Sequence, residues 1–295
     1  MKNILVLTDF SKKARYAAET ALLLAEKMNA NVMLFNAYAR YPFLPSAEFV
    51  AWPPEYYTAF KDESNRRIKK EKRRLKRLIS DNRNRFGEID IKCFTAEGTA
   101  AENLPSLLKE REIVMVVIGG REKTAGSFLF GNHMNQIIDK ATCPVLVISR
   151  RDSNLKLKNV VFATNLDPDD ITAVRYLREL SSIFHFHLQV CHVTQPPVLL
   201  PDFNEEDRRS AFTNAISKLD FSGLSYKDLE GTHVAKELEL FCKETHPGLF
   251  VFVHKKHSVF LKLLQESPAE LMIRHQKKPI LVIPEKWGSK SDQTH

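Results

Sequence analysis

The sequence predicts an α/β protein made of two doubly wound, five-stranded parallel sheets, with a helix between successive strands. Three observations carry this. Short apolar runs bounded by Gly and Pro recur: 113–118 (IVMVVI) leads into Gly119-Gly120, and 145–148 (VLVI) follows Pro144. Runs this short, rich in Val and Ile, read as strands buried on both faces. Segments with helical spacing separate the runs in the order β-α-β-α-β-α-β-α-β, which implies parallel strands with helices on both faces. Finally, the second half repeats the plan of the first. MKNILVLTDFS at residue 1 resembles LKNVVFATNLD at 157, an offset of 156. VVIGGRE at 116 lies opposite FVFVHKKH, with Gly119 facing His254, and CPVLVI at 143 lies opposite KPILVI at 278, both at an offset of 135. The difference of 21 residues is expected upstream of these runs, around a long segment of the first half described next.

In order, residues 3–8 (NILVLT) form a first strand, and Ser11 or Asp9 caps a helix in which Ala14, Ala17, Ala18, Ala21, Leu22 and Ala25 keep helical spacing. Asn29-Ala30-Asn31 ends that helix before a strand at 32–35. Residues 39–57 are rich in proline and aromatics, and a long charged helix follows over 58–83. A strand at 89–95 and a helix at 101–111 lead to the 113–118 strand. Asn132 can cap a helix over 133–141 with Ile137 and Ile138 inward, and 145–148 is the fifth strand. The polar stretch 149–156 divides the chain, giving a first domain at 1–150, a second at 151–288 and a polar tail at 289–295.

Composition fits a water-soluble globular chain, with 43% apolar and 27% charged residues over 295. No apolar run is long enough to span a membrane, and the expectation is a cytoplasmic protein. The four cysteines are far apart with no C-x-x-C, which points to reduced core residues. A net charge of +8 permits anionic partners without naming one.

TDFS after the first strand, the Gly119 and Gly131 loop, and CPVLVI as a final strand together resemble a tandem universal stress protein. The resemblance implies sheets of the adenine nucleotide alpha hydrolase-like type, and dimers that pair through their last strands. Here residues 145–148 and 280–283 could supply that pairing internally, making an intramolecular pseudo-dimer. An exposed apolar final strand needs such cover.

Nucleotide-binding members of the family share a loop of Gly, two residues, Gly, nine residues, Gly, then Ser or Thr. Gly119 matches the first Gly, Glu122 stands at the second, Gly131 follows eight residues later at the third, and Asn132 replaces Ser or Thr. Asp9 matches the acid that holds the adenosine end, Thr8 its neighbour, and Ala37 the adenine-facing residue after the second strand. The resemblance therefore implies ATP or AMP at Thr8, Asp9, Ala37, Gly119, Gly131 and Asn132, with no metal beyond nucleotide-associated Mg. Glu122 opposes this, because a carboxylate about 4 Å from a phosphate costs up to roughly 4 kcal/mol near a protein surface. In the second half His254 and His257 replace the first two glycines, Glu266 the third, although Ser267 follows it, and Asn165 replaces the acid. That half is expected to serve as a dimerisation partner.

Other constellations point less far. His185, His187, His192, His254 and His257 supply no spaced zinc set. The run 66–77 (RRIKKEKRRLKR) reads as a solvated helix face with Ile68, Leu75 and Ile79 inward; binding of nucleic acid or another polyanion there is the second alternative function. The aromatic segment 39–57 is too apolar for an idle loop. It is expected to pack across the second domain, to cover the first-half site as a lid, or to bind another protein. No nucleophile elbow or Walker sequence is present. The expected role is non-enzymatic stress sensing or scaffolding through an unknown protein partner, with further homodimerisation open. An ATP-hydrolysing or phosphotransfer protein using the Gly119 loop is the alternative.

Overall fold

The computed structural model describes residues 1–38, 54–120, 131–149, 157–194, 205–255, 278–285 and 287, with backbone alone at 54–57, 131–132 and 235. Residues 39–53 of the aromatic segment 39–57, and His257, Glu266 and Ser267, lie outside the described residues.

The first half runs β1 (Asn3–Leu7), α1 (Lys12–Met28), β2 (Asn31–Tyr38), α2 (Pro54–Asp81), β3 (Ile91–Glu97), α3 (Ala100–Glu110), β4 (Ile113–Gly119), α4 (Gly131–Lys140) and β5 (Val145–Ile148). The second runs β6 (Asn159–Ala163), α5 (Asp170–Phe184), β7 (His187–Thr194), α6 (Glu205–Ser217), β8 (Leu224–Glu230), α7 (Val234–Thr245), β9 (Leu249–His254) and β10 (Ile280–Pro284). The two sheets expected from the sequence are one. Ten strands are hydrogen-bonded in the order β3-β2-β1-β4-β5-β10-β9-β6-β7-β8. Every neighbouring pair is parallel except β5 and β10, which run antiparallel with Leu281 opposite Leu146. The reason is the edge. β5 is four buried apolar residues, and left unpaired it would offer open amides and an apolar margin to any other strand.

Strand alternation feeds both faces. Ile4 and Val6 enter the core under α1, α2, α5 and α6, while Leu5 and Leu7 enter the core under α3, α4 and α7. Each core runs through both halves of the chain. Burial of one such side chain contributes about 2 kcal/mol.

Local chemistry sets the helix ends. Ser11 caps α1, its Oγ accepting from the Ala14 N–H, and Asn29 closes it in the left-handed region at φ 49°. His185 closes α5 in the same way at φ 55°, 156 residues later. Thr99 and Glu102 form a reciprocal capping box at α3. At α4 the expected cap does not hold. The helix already includes Gly131, so Asn132 stands inside its first turn. Its phase is fixed by the burial of Met134, Ile137 and Ile138 rather than by a cap.

The length difference between the halves falls between the second and third strands. Residues 39–90 join β2 to β3, whereas 195–223 join β7 to β8, 52 against 29 residues. Much of this is α2, which has 28 residues where α6 has 13.

Candidate functional site

In the first half the strand order reverses between β1 and β4, and the crevice beyond their carboxyl ends is where such sheets hold ligands. Leu7 pairs with Ile118, so Thr8 leaves β1 beside Gly119 at the end of β4. The loop between is locked by its own side chains. The Thr8 N–H extends the ladder to the Phe35 carbonyl at 2.9 Å, and its Oγ1 accepts from the Phe10 N–H at 3.0 Å, with Phe10 left-handed at φ 64°. One oxygen of Asp9 accepts from the Ser11 N–H at 2.9 Å. Asp9 is exposed, and its second oxygen has no hydrogen bond among the described residues.

Asn36, at the end of β2, was not singled out in the sequence. It is buried, its Nδ2 donates to the Thr8 carbonyl at 2.6 Å, and its Oδ1 accepts from the Ser64 hydroxyl of α2 at 2.6 Å. It pins the Thr8–Asp9 turn to the sheet. The one available signal was an amide inside an apolar strand, VMLFNAY. Ala37, next to it, points to the opposite sheet face and pairs with Ala96.

Gly119 has a structural reason to be glycine. A Cβ there would lie 2.6 Å from the Ala14 nitrogen and the Lys13 carbonyl carbon, so the first turn of α1 rests directly on this residue. Gly120 donates its N–H to the Ile148 carbonyl at 2.8 Å. Thr8, Asp9 and Gly119 thus meet at one crevice, with Ala37 one strand away at the same end of the sheet. Gly131 and Asn132 open α4, with only their backbone described, while Glu122 and the rest of 121–130 lie outside the described residues.

The second half repeats the threonine part of the turn. The Thr164 N–H donates to the Cys191 carbonyl at 2.9 Å, its Oγ1 accepts from the Leu166 N–H at 2.9 Å, and Leu166 is left-handed at φ 63°. His192 replaces Asn36, with Nδ1 3.0 Å from the Thr164 carbonyl and Nε2 3.3 Å from Glu205. What lies across the crevice differs. Sheet register corrects the expected alignment by one residue. Ile118 sits opposite Leu7 and Phe252 opposite Ala163, so Val253, not His254, is the counterpart of Gly119. The valine side chain denies α5 the close approach that α1 makes, and α5 starts at Asp170, two residues later than the 156 offset from Lys12 predicts.

Lys255 then crosses the crevice. It is buried, with Nζ 2.5 Å from Asp167 and 3.4 Å from Asp170, whose other oxygen accepts from the Thr164 hydroxyl at 2.7 Å. Burial pushes the Asp170 carboxyl above its ordinary range against the pull of Lys255. Asp167, more open, is also raised by burial but ends below its ordinary range because Lys255 and the Asp169 N–H hold its charge. The ammonium and two carboxylates form an ion cluster beside the Thr164 turn, whereas the acid of the Thr8 turn, Asp9, is exposed and has no ion pair among the described residues. His254 Nε2 meets Asp139 of α4 at 2.7 Å, a contact between the halves.

Among the described residues no group of His, Cys, Asp and Glu is placed to hold a metal ion, and no helix is long and apolar enough to cross a membrane. The four cysteines form no disulfide with one another, and burial pushes the Cys143 and Cys242 thiols up to about 12.

The model of the universal stress protein family matches residues 1–149. Among solved structures, a universal stress protein from Archaeoglobus fulgidus superposes with a TM-score of 0.64 at 14% identity, over 96% of each chain. A putative universal stress protein from Pseudomonas aeruginosa superposes with a TM-score of 0.62 at 13% identity, over 96% of this chain and 92% of that one. At such identities the likeness is one of fold. No curated protein matches this chain in sequence.

Proposed function

The chain belongs to the universal stress protein family, and on that premise we propose that it is a non-enzymatic stress-response protein that binds an adenine nucleotide, ATP or AMP, in its first half alone. The carrying observation is the contrast between the two crevices. Beside β1 an uncommitted Asp9 oxygen faces solvent next to Gly119, whereas beside β6 the Lys255 ammonium already sits between Asp167 and Asp170. The residues present suit an adenosine. Asp9 would accept from the ribose hydroxyls, the Thr8 peptide and Ala37 would face the base, and Gly119, Gly131 and Asn132 would stand towards the phosphates, with any Mg arriving on the nucleotide.

In this reading residues 1–150 and 151–288 are two copies of one module. They form a pseudo-dimer inside a single chain, and the second copy has given up its ligand to become the permanent partner of the first. The paired hydrogen bonds at Thr8 and Thr164 and at Asn36 and His192 support the duplication.

Calorimetric titration of the whole protein with ATP and with AMP tests this. One saturable site per chain is expected, and Gly131→Val should abolish it while the circular dichroism spectrum stays unchanged. Two sites, or none at millimolar nucleotide, would refute the reading. Phosphate release in the same samples would favour a hydrolytic role instead.

A further inference from the structure

The positive charge of this protein is concentrated in one stretch. Residues 66–85 hold eleven Lys or Arg and two acidic residues, a net +9, while the whole chain carries +8. The remainder is close to neutral. The fold puts this charge on one face. α2 turns Ile68 and Leu75 into the core. At about 100° per residue, Arg66, Lys70, Arg73 and Arg77 fall on the opposite side, flanked by Lys69 and Lys76. All six are exposed. Glu71, the one acid between 66 and 77, is buried and held by Arg74, which also reaches Glu19 at 2.6 Å. Arg66 pairs with Glu63, whereas Lys70, Arg73, Lys76 and Arg77 have no ion-pair partner among the described residues. A helix face that only needs to be solvated gains by mixing signs, since like charges three and four residues apart repel. This face does the opposite.

We infer that this ridge is a docking surface for the phosphate backbone of a nucleic acid duplex, engaged without regard to sequence. From 66 to 77 the helix rises about 16 Å, which spans roughly five phosphates of one strand. Lysines and arginines arrayed along a line neutralise phosphates but do not by themselves read bases. α2 packs over β3, the edge strand, so the ridge lies at one end of the sheet. A lipid surface suits it less. Helices that rest on membranes sink apolar side chains into the bilayer, and here Ile68 and Leu75 point into the protein. α2 reaches the Thr8–Phe10 turn through Ser64 and Arg67, but the residues of the ridge lie on its other side, and docking there does not depend on nucleotide binding at the crevice.

The test is fluorescence anisotropy of the full-length protein with a labelled 20-base-pair duplex of arbitrary sequence, between 50 and 200 mM NaCl. Binding should weaken steeply with salt and vary little with sequence. The triple variant K70Q/R73Q/R77Q should lose at least tenfold in affinity at 100 mM salt and flatten the log–log salt slope by about 2.7. K158Q/K218Q/K236Q removes the same charge from exposed positions of the second half and should change affinity less than twofold. Absence of binding at 50 mM salt, or equal losses in the two triple variants, would overturn the inference. So would binding to phosphatidylserine vesicles without binding to the duplex.

Discussion

Leu146 of β5 and Leu281 of β10 face each other at the centre of the antiparallel seam, and they are counterparts in the two halves, 135 residues apart. The flanking pairs, Val147 with Ile280 and Val145 with Val282, exchange into each other under the same offset. A strand therefore pairs with its own counterpart, as in an isologous interface between identical subunits.

Cutting the chain should turn this internal contact into an intermolecular one. A fragment of residues 1–149 keeps β5 but loses β10, so its buried VLVI run becomes an open edge. Sedimentation velocity should find that fragment dimeric or larger at about 50 μM and the full chain unaffected. A stable monomeric fragment would contradict the role given to the seam.

Gly119→Ala should destabilise the protein by about 1–3 kcal/mol in urea unfolding, because its new methyl group meets the backbone of Lys13 and Ala14, which cannot swing aside. Gly120→Ala meets the Ser149 hydroxyl first, at 3.1 Å, a side chain that can turn, and should cost well under half as much. Equal effects would mean that α1 does not rest on Gly119.

Lys255→Met should cost about 3–5 kcal/mol at pH 7, since it strands the buried Asp170 carboxylate. The pH dependence has a definite sign. A carboxyl raised in the fold takes up its proton more readily folded than unfolded, so its penalty fades as pH falls; Asp170 is of this kind already. Asp167 is held below its ordinary range by Lys255, and the stability it supplies is present above about pH 4 and lost below. Without the ammonium Asp170 rises further and Asp167 loses its support. The gap between variant and wild type should then narrow as pH drops from 7 towards about 4. A gap that stays constant across that window would argue against the ion cluster.

Asn36→Ala removes the donor to the Thr8 carbonyl and leaves the Ser64 hydroxyl buried without its acceptor. A loss of about 1–3 kcal/mol is expected. Because the Thr8–Asp9 turn is no longer pinned, ATP affinity should also fall at least fivefold, whereas His192→Ala, on the second turn, should leave it unchanged. Equal affinity in both variants would detach Asn36 from the site.

Strand and helix identities in the first half were legible in the chain, because each is a local matter of period and capping: ILVL in β1, the alanine stripe of α1, a cap at Ser11 or Asp9, a stop within 29–31. The repeat was legible as well, since apolar runs survive divergence. Residues that depend on a neighbour far along the chain were not. Asn36, just beyond the strand expected at 32–35, carried no sign of its role, which Ser64 and Thr8 give it by closing around it. Nothing local marks Lys255, and only the pairing of β9 beside β6 brings it to Asp167 and Asp170. The alignment of Gly119 with His254 failed by one position, because matching letters across a gapped repeat carries less information than a hydrogen-bonded register.

By itself the sequence determined an α/β chain of repeated strand–helix units, a first half with the glycines and acid of a ligand crevice, and a second half without them. Only the tertiary structure decided that the two sheets are one, and that the second crevice is closed by an ion cluster rather than empty. Those outcomes rest on contacts between strands and loops more than a hundred residues apart or on opposite sides of a crossover. Their free energy comes from edge pairing and charge neutralisation in space, which no local pattern encodes.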